Sequence, residues 1–164
     1  MDSSSTDIQH LVETYLKDYN IAHEIIEIDP DFADTAAFCE KYNYPVENSG
    51  NTIIVASKKE PKSFVACLVL ASYKLDVNKT VRKLMEVSKI SFASAEDTKN
   101  LTGMMIGGVT IFGLPLNLPI YLDDKIFQLD YVIVGSGNRS TKIKINPEEL
   151  RKIPNTIVIS NLSY

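Results

Sequence analysis

The sequence predicts a mixed α/β fold, a largely antiparallel sheet flanked by short helices. Three observations carry this. Short β-branched or alternating apolar runs, about seven, interleave with about five short helical patterns without a regular βαβ rhythm. Two of the runs, residues 52–56 and 63–71, are joined by a charged connection containing Pro61 and read as a hairpin. At 164 residues and 45% hydrophobic composition, the chain suits one domain over residues 1–164 with a real core, residues 1–6 forming a polar tail.

The elements follow in order. Ile8, Leu11, Val12, Tyr15, Leu16 and Tyr19 recur at spacings of three and four, one face of a helix that Ser5 or Thr6 caps and Asn20 stops. Residues 22–28 form a short strand, with Ile26 and Ile28 alternating against Glu27. Asp29-Pro30-Asp31 ends it, because proline supplies no amide and disfavours helix at the residue before it. Asp34 or Thr35 opens a helix over 36–42, and the hairpin follows. Asp76 caps a further helix with Val77, Val81, Leu84 and Met85 on one face. Residues 90–92 form a brief strand. Ser94, three residues before Asp97, caps a helix that Gly103 terminates. Strands are expected at 120–122, 131–134 and 142–145, the last half-exposed because Lys142 and Lys144 alternate with Ile143 and Ile145. Pro147 sits in the first turn of another helix, and residues 156–159 are placed to join a sheet edge.

Composition excludes several classes of function. The formal charge of −4 leaves no global positive field for DNA or a membrane surface. The longest apolar run, residues 64–73, is about half the ~20 residues needed to span a bilayer, and the first seven residues lack a secretion pattern. A cytoplasmic protein is expected, with Cys39 and Cys67 as buried free thiols. Lys58, Lys59 and Lys62 read as a solvated turn. His10 and His23 form no ligand spacing, no phosphate-binding glycine loop of known pattern occurs, and neither metal nor cofactor is expected.

The chemistry is expected in two glycine loops. Gly103, Gly107, Gly108 and Gly113 crowd into residues 102–113 of a chain with seven glycines in all. Alone, Gly107-Gly108 reads more readily as a tight bend between strands. A second loop, Gly135-Ser136-Gly137-Asn138-Arg139-Ser140, follows a β-like run, and two such loops in one small domain suggest one pocket. Backbone amides of Gly107, Gly108 and residues 135–137, with the Thr110 and Ser136 hydroxyls, suit the holding of a carbonyl or oxyanion attacked by water.

In order along the chain, the strand at residues 52–55, the run Leu75-Asp76-Val77-Asn78-Lys79, the loop Thr102-Gly103-x-x-x-Gly107-Gly108-x-x-x-x-Gly113, Asp123 at a strand end, and residues 135–139 resemble the YbaK family. These are free-standing relatives of the bacterial prolyl-tRNA synthetase editing domain. The resemblance covers roughly residues 47–153. It implies an aminoacyl-tRNA deacylase acting in trans, with the acceptor end of an aminoacyl-tRNA as partner and an aminoacyl-tRNA synthetase as a candidate partner. Alanine, cysteine or proline on a mismatched tRNA are the leading substrates it implies. Asn51, Gly107 and Gly108 take catalytic positions on this reading. Thr52, Lys74, Val109, Thr110, Asp123, Gly135, Ser136 and Gly137 bind substrate. Two residues depart from the pattern. Asn51 stands where many members carry lysine, and Ile111 where the loop carries proline. Losing a cation beside a developing oxyanion leaves three outcomes open: altered specificity, a substitute lysine such as Lys74, or no catalysis. The rival readings are a non-catalytic binding module that kept the pocket, and a site for an unrelated amino-acid derivative.

Overall fold

The computed structural model describes residues 3–164, so Met1 and Asp2 of the expected tail lie outside the described residues. Helix α1 (Ser3–Asp18) starts before the predicted caps and ends near Asn20, whose φ of 54° is left-handed. Its apolar stripe buries Val12 and Leu16, while Ile8, Tyr15 and Tyr19 pack at the edge of the same core. Leu11, expected on that stripe, stays 41% exposed. It lies across Gly113, where an added Cβ would come within 3.1 Å of its Cγ.

The strands form two sheets. A three-stranded antiparallel sheet has the order β1 (Glu24–Glu27), β7 (Thr141–Ile145), β6 (Val132–Gly135). A five-stranded mixed sheet has the order β4 (Ile90–Phe92), β2 (Gly50–Ser57), β3 (Phe64–Leu70), β5 (Ile120–Asp123), β8 (Thr156–Ile159). The predicted β2–β3 hairpin is present, with Asn51 opposite Val69, and β8 adds to the edge parallel to β5. The sheets meet where Ser49 bridges Ile133, in parallel sense, just before β2. Gly50 packs closely in this junction, since an added Cβ would stand 3.3 Å from a Leu68 methyl group and 3.4 Å from methyl groups of Val132 and Val134.

β3 is apolar throughout because both its faces are covered, the situation that yields an unbroken apolar run. Ala66, Leu68 and Leu70 join the main core under α1, while Val65, Cys67 and Val69 join a second cluster with Val81 and Leu162. A third cluster fills the space between α2 (Thr35–Tyr42) and the outer face of the three-stranded sheet, built on Ala33, Phe38 and Ile133. Cys67 is fully buried and Cys39 partly so, and both are free thiols.

The predicted helix after Asp76 differs from expectation. Asp76 does cap it, accepting a hydrogen bond from the Lys79 amide, but residues Val77–Val81 form a π-turn before the short α3 (Arg82–Met85). The wider turn rotates later side chains off the expected face, and Leu84 is 41% exposed while Val81 stays buried. α4 (Ala95–Thr102) matches at both ends, with the Ser94 hydroxyl accepting from the Asp97 amide and Gly103 left-handed at φ 74°. Among the described residues no helix is long and apolar enough to cross a membrane.

Asp123 closes β5 as a structural cap. Its carboxylate is 0% exposed, accepts a hydrogen bond from the Ser163 hydroxyl and from the Lys125 amide at 3.1 Å, and lies 3.6 Å from Lys125 Nζ. Asp123→Ala should destabilise the fold by about 2 kcal/mol, because the buried Ser163 hydroxyl loses a charged partner. Urea denaturation checks this, and an unchanged midpoint would contradict it.

Burial, then the neighbouring Tyr19, pushes the Tyr15 hydroxyl from its usual 10.0 up to about 12. The folded protein therefore keeps a proton that the unfolded chain releases first. This contribution to stability is complete below the unfolded value and disappears as pH rises through the folded one. Between pH 9 and about 12 the wild type should lose more stability than Tyr15→Phe in matched denaturation experiments. Equal losses would rule the assignment out.

Candidate functional site

The start of β2, the loop after α4, the end of β6 and the start of β7 converge on one cleft of about 350 Å³. Its walls are Asn51, Thr52 and Ile53 from β2, Gly107 and Val109 from the first loop, Gly135 at the end of β6 and Lys142 on β7. Ala33, Asp34 and Thr35, entering α2, form its rim.

Two glycines bring the loops into contact. At Gly135 an added Cβ would stand 2.9 Å from the Val109 carbonyl oxygen, so only glycine admits that strand so close. Gly107 has φ 91°, in the left-handed region, and its open face looks toward Arg139, whose Nη1 would lie 3.4 Å from an added Cβ. Arg139 in turn reaches across the cleft mouth, donating to Asp34 Oδ1 at 3.3 Å and to the Pro30 carbonyl at 3.4 Å. The late loop is thus tied to the entrance of α2.

Asn51 is held from one side. Thr35 Oγ1 donates to Asn51 Oδ1 at 2.9 Å, and among the described residues no hydrogen bond engages its Nδ2. The amide therefore presents donors, the polarity a carbonyl or oxyanion requires. Beside it, Thr52 Oγ1 is buried without a hydrogen-bond partner among the described residues, an unusual state for a hydroxyl at the wall of a cleft.

Lys142 is the cation of this cleft. It is half-buried on β7, opposite Gly135 on one side and Ile26 on the other. Burial lowers its ammonium pKa and the nearby Arg139 lowers it further, while Cys39 and Asp34 act in the opposite direction. Its Nζ lies 5.2 Å from the Phe38 ring centroid, within cation–π range.

Two further hollows adjoin the cleft. Past Thr52 and Gly107 lies an apolar recess of about 310 Å³ between Ile54, Phe92, Ala93, Thr98 and Ile106. On the other side of Asn51 and Ile53 a broader groove of about 540 Å³ runs past Tyr73, Lys74, Asn78 and Tyr164.

The sequence-predicted residues divide accordingly. Asn51, Thr52, Gly107, Val109 and Gly135 share the cleft. Gly108 lies behind it against the Gly137 carbonyl, and its amide donates to the Met105 carbonyl at 2.9 Å, so that donor closes a turn. Thr110 is 0% exposed, its amide pointing to the Met104 sulfur at 3.5 Å and its hydroxyl buried without a partner among the described residues. The buried Ser136 hydroxyl donates to the Thr141 carbonyl at 2.8 Å, and Gly137, at φ 93°, packs under Ile8 and Val12 of α1. The structure does not bring Asp123 to the cleft, and Lys74 lies in the neighbouring groove. Lys142, Asp34 and Thr35 have no place among the sequence candidates. For Lys142 the available signal was a lysine on the strand leaving a glycine loop, read as solvent-facing because it alternates with Ile143.

The chain is 26% identical over 103 residues to EbsC of Enterococcus faecalis, named as a candidate Cys-tRNA(Pro)/Cys-tRNA(Cys) deacylase; the match covers 63% of this chain and spans only 60% of that protein. It is 24% identical over 139 residues to YwhH of Bacillus subtilis, an uncharacterized protein, covering 85% of this chain and 86% of that one. Among solved structures, the hypothetical protein APE2540 superposes with a TM-score of 0.83 at 20% identity, over 94% of this chain and 99% of that one. A protein described as a candidate trans-editing enzyme for prolyl tRNA synthetase superposes with a TM-score of 0.81 at 20% identity, over 98% and 97%. Residues 29–153, which contain every wall of the cleft, match the aminoacyl-tRNA editing domain, and the chain belongs to that family.

Proposed function

We propose that this protein hydrolyses the ester of a mischarged aminoacyl-tRNA in trans, with the scissile carbonyl seated between Asn51 and the Gly107–Val109 turn. The observation that carries the reading is the convergence of Gly107 and Val109 of the first glycine loop, Gly135 at the end of β6 and the donor end of Asn51 on one cleft. An ester needs polarisation of its carbonyl and access for water, and donors preset around the developing oxyanion supply the first. Water is the nucleophile, and the adjacent ribose hydroxyl of the substrate is placed to assist it. The apolar recess behind Thr52 and Gly107 suits a small apolar amino-acid side chain.

A second reading, a binding module without turnover, is favoured by Asn51, which carries no charge where the resemblance implies lysine. The two part on a panel of mischarged tRNAs incubated with purified protein. The enzymatic reading predicts release of amino acid from at least one member at about ten times the spontaneous rate or faster, and release from none overturns it. On the binding-module reading the parent is silent and Asn51→Lys gains hydrolysis.

Gly135→Ala should lower the rate on the best substrate by about tenfold or more, since the methyl group must push the Val109 carbonyl aside and displace the cleft wall. A folded Gly135→Ala protein with wild-type single-turnover rate would show that the ester sits elsewhere.

A further inference from the structure

We propose that Lys142 is the ligand-contacting cation of the cleft, donating a hydrogen bond to the ester carbonyl oxygen as it becomes negative. This rests on the hydrolytic reading above.

A lysine ammonium has three N–H donors and is strongly hydrated, so a half-buried one is normally paired with a carboxylate. Among the described residues Lys142 takes part in no ion pair and no side-chain hydrogen bond. Asp34, the carboxylate of the cleft rim, is already engaged by Arg139 at 3.3 Å. Cys39 is the other titratable group close by, and the Phe38 ring covers one side of the ammonium without accepting a conventional hydrogen bond. The open direction is the cleft, where Asn51 and the Gly107–Val109 turn stand. Burial already disfavours the charged form of Lys142, so an anionic oxygen arriving there meets a poorly solvated cation.

The cation also stands at a fixed place. Lys142 is paired across the ladder with Gly135, whose lack of a side chain lets the Val109 carbonyl wall approach, and with Ile26 on its other side. Strand pairing on both edges sets the ammonium stem more firmly than a loop would. Lys74, by contrast, is exposed in the neighbouring groove.

The chemistry balances without a further reactant. Water attacks the carbonyl carbon, and the carbonyl electron pair moves to the oxygen facing Lys142, which stabilises it while keeping its proton. The pair returns as the bond to the ribose oxygen breaks, and that oxygen leaves with the proton given up by the attacking water.

The test compares Lys142→Met, Lys142→Arg and Lys144→Met with the wild type, using single-turnover hydrolysis of the best mischarged tRNA. It also uses binding of a non-hydrolysable 3′-amide analogue of aminoacyl-adenosine. Lys144 neighbours Lys142 on the same face of β7, but its ammonium lies over Tyr131, 4.5 Å from the ring centroid, outside the cleft. Lys142→Met should lose about 100-fold in rate, Lys142→Arg no more than about tenfold, and Lys144→Met nothing measurable. The proposal is overturned if folded Lys142→Met stays within threefold of wild type, or if Lys142→Arg falls as far as Lys142→Met. If the wild type hydrolyses nothing, the enzymatic reading has failed by itself and the analogue decides. At least tenfold weaker binding to Lys142→Met than to wild type supports the cation's role, whereas equal binding, or no binding by wild type, overturns it.

Discussion

Close backbone approach is the constraint on which the rest depends. Two sheets meet at Gly50 and the glycine loop meets β6 at Gly135, and in both places an added methyl group would press on neighbours within 3.4 Å. At Gly135 the obstacle is a carbonyl oxygen at 2.9 Å, backbone that has no rotamer to change. A cleft walled by main chain on one side and by Asn51 and Lys142 on the other is the consequence. Its donors are fixed by strand pairing and cost little reorganisation when a substrate enters.

The charge arrangement follows from what covers the three-stranded sheet. α2 lays Phe38 over the face from which Lys142 projects, and the loop before α2 brings Asp34 to Arg139. This clasp uses the local negative charge on one guanidinium, leaving the lysine ammonium without a carboxylate partner among the described residues. A chain with a net charge of −4 therefore keeps a local positive group facing the cleft.

Much of this was legible in the amino-acid order, and the failures have physical causes. Caps and turns are local, so Ser94, Gly103, Asp76 and the β2–β3 hairpin could be read from neighbouring residues alone. The glycines of both loops marked the cleft because a residue without Cβ leaves a visible trace. The assignment of each glycine was harder. Gly103 caps a helix, Gly113 makes room for Leu11, and Gly137 lies under α1, so of the glycines in the two loops Gly107 and Gly135 line the cleft, together with Gly50 of β2. Lys142 was missed because alternation shows which residues share a face but not what covers it. Both faces of β7 are covered, one by the main core and the other by the aromatic side chains of α2 and its flanks. Leu84 escaped for another reason, since a π-turn has no simple sequence period.

The claim that an ester carbonyl sits between Asn51, the Gly107–Val109 turn and Lys142 is tested most directly by a crystal structure with a non-hydrolysable 3′-amide analogue of aminoacyl-adenosine. The account predicts the amide carbonyl oxygen within hydrogen-bonding distance of Asn51 Nδ2 or Lys142 Nζ, with the amino-acid side chain in the recess beside Ile54 and Ala93. An analogue bound only in the groove beside Lys74 and Tyr164, with this cleft empty, would contradict it.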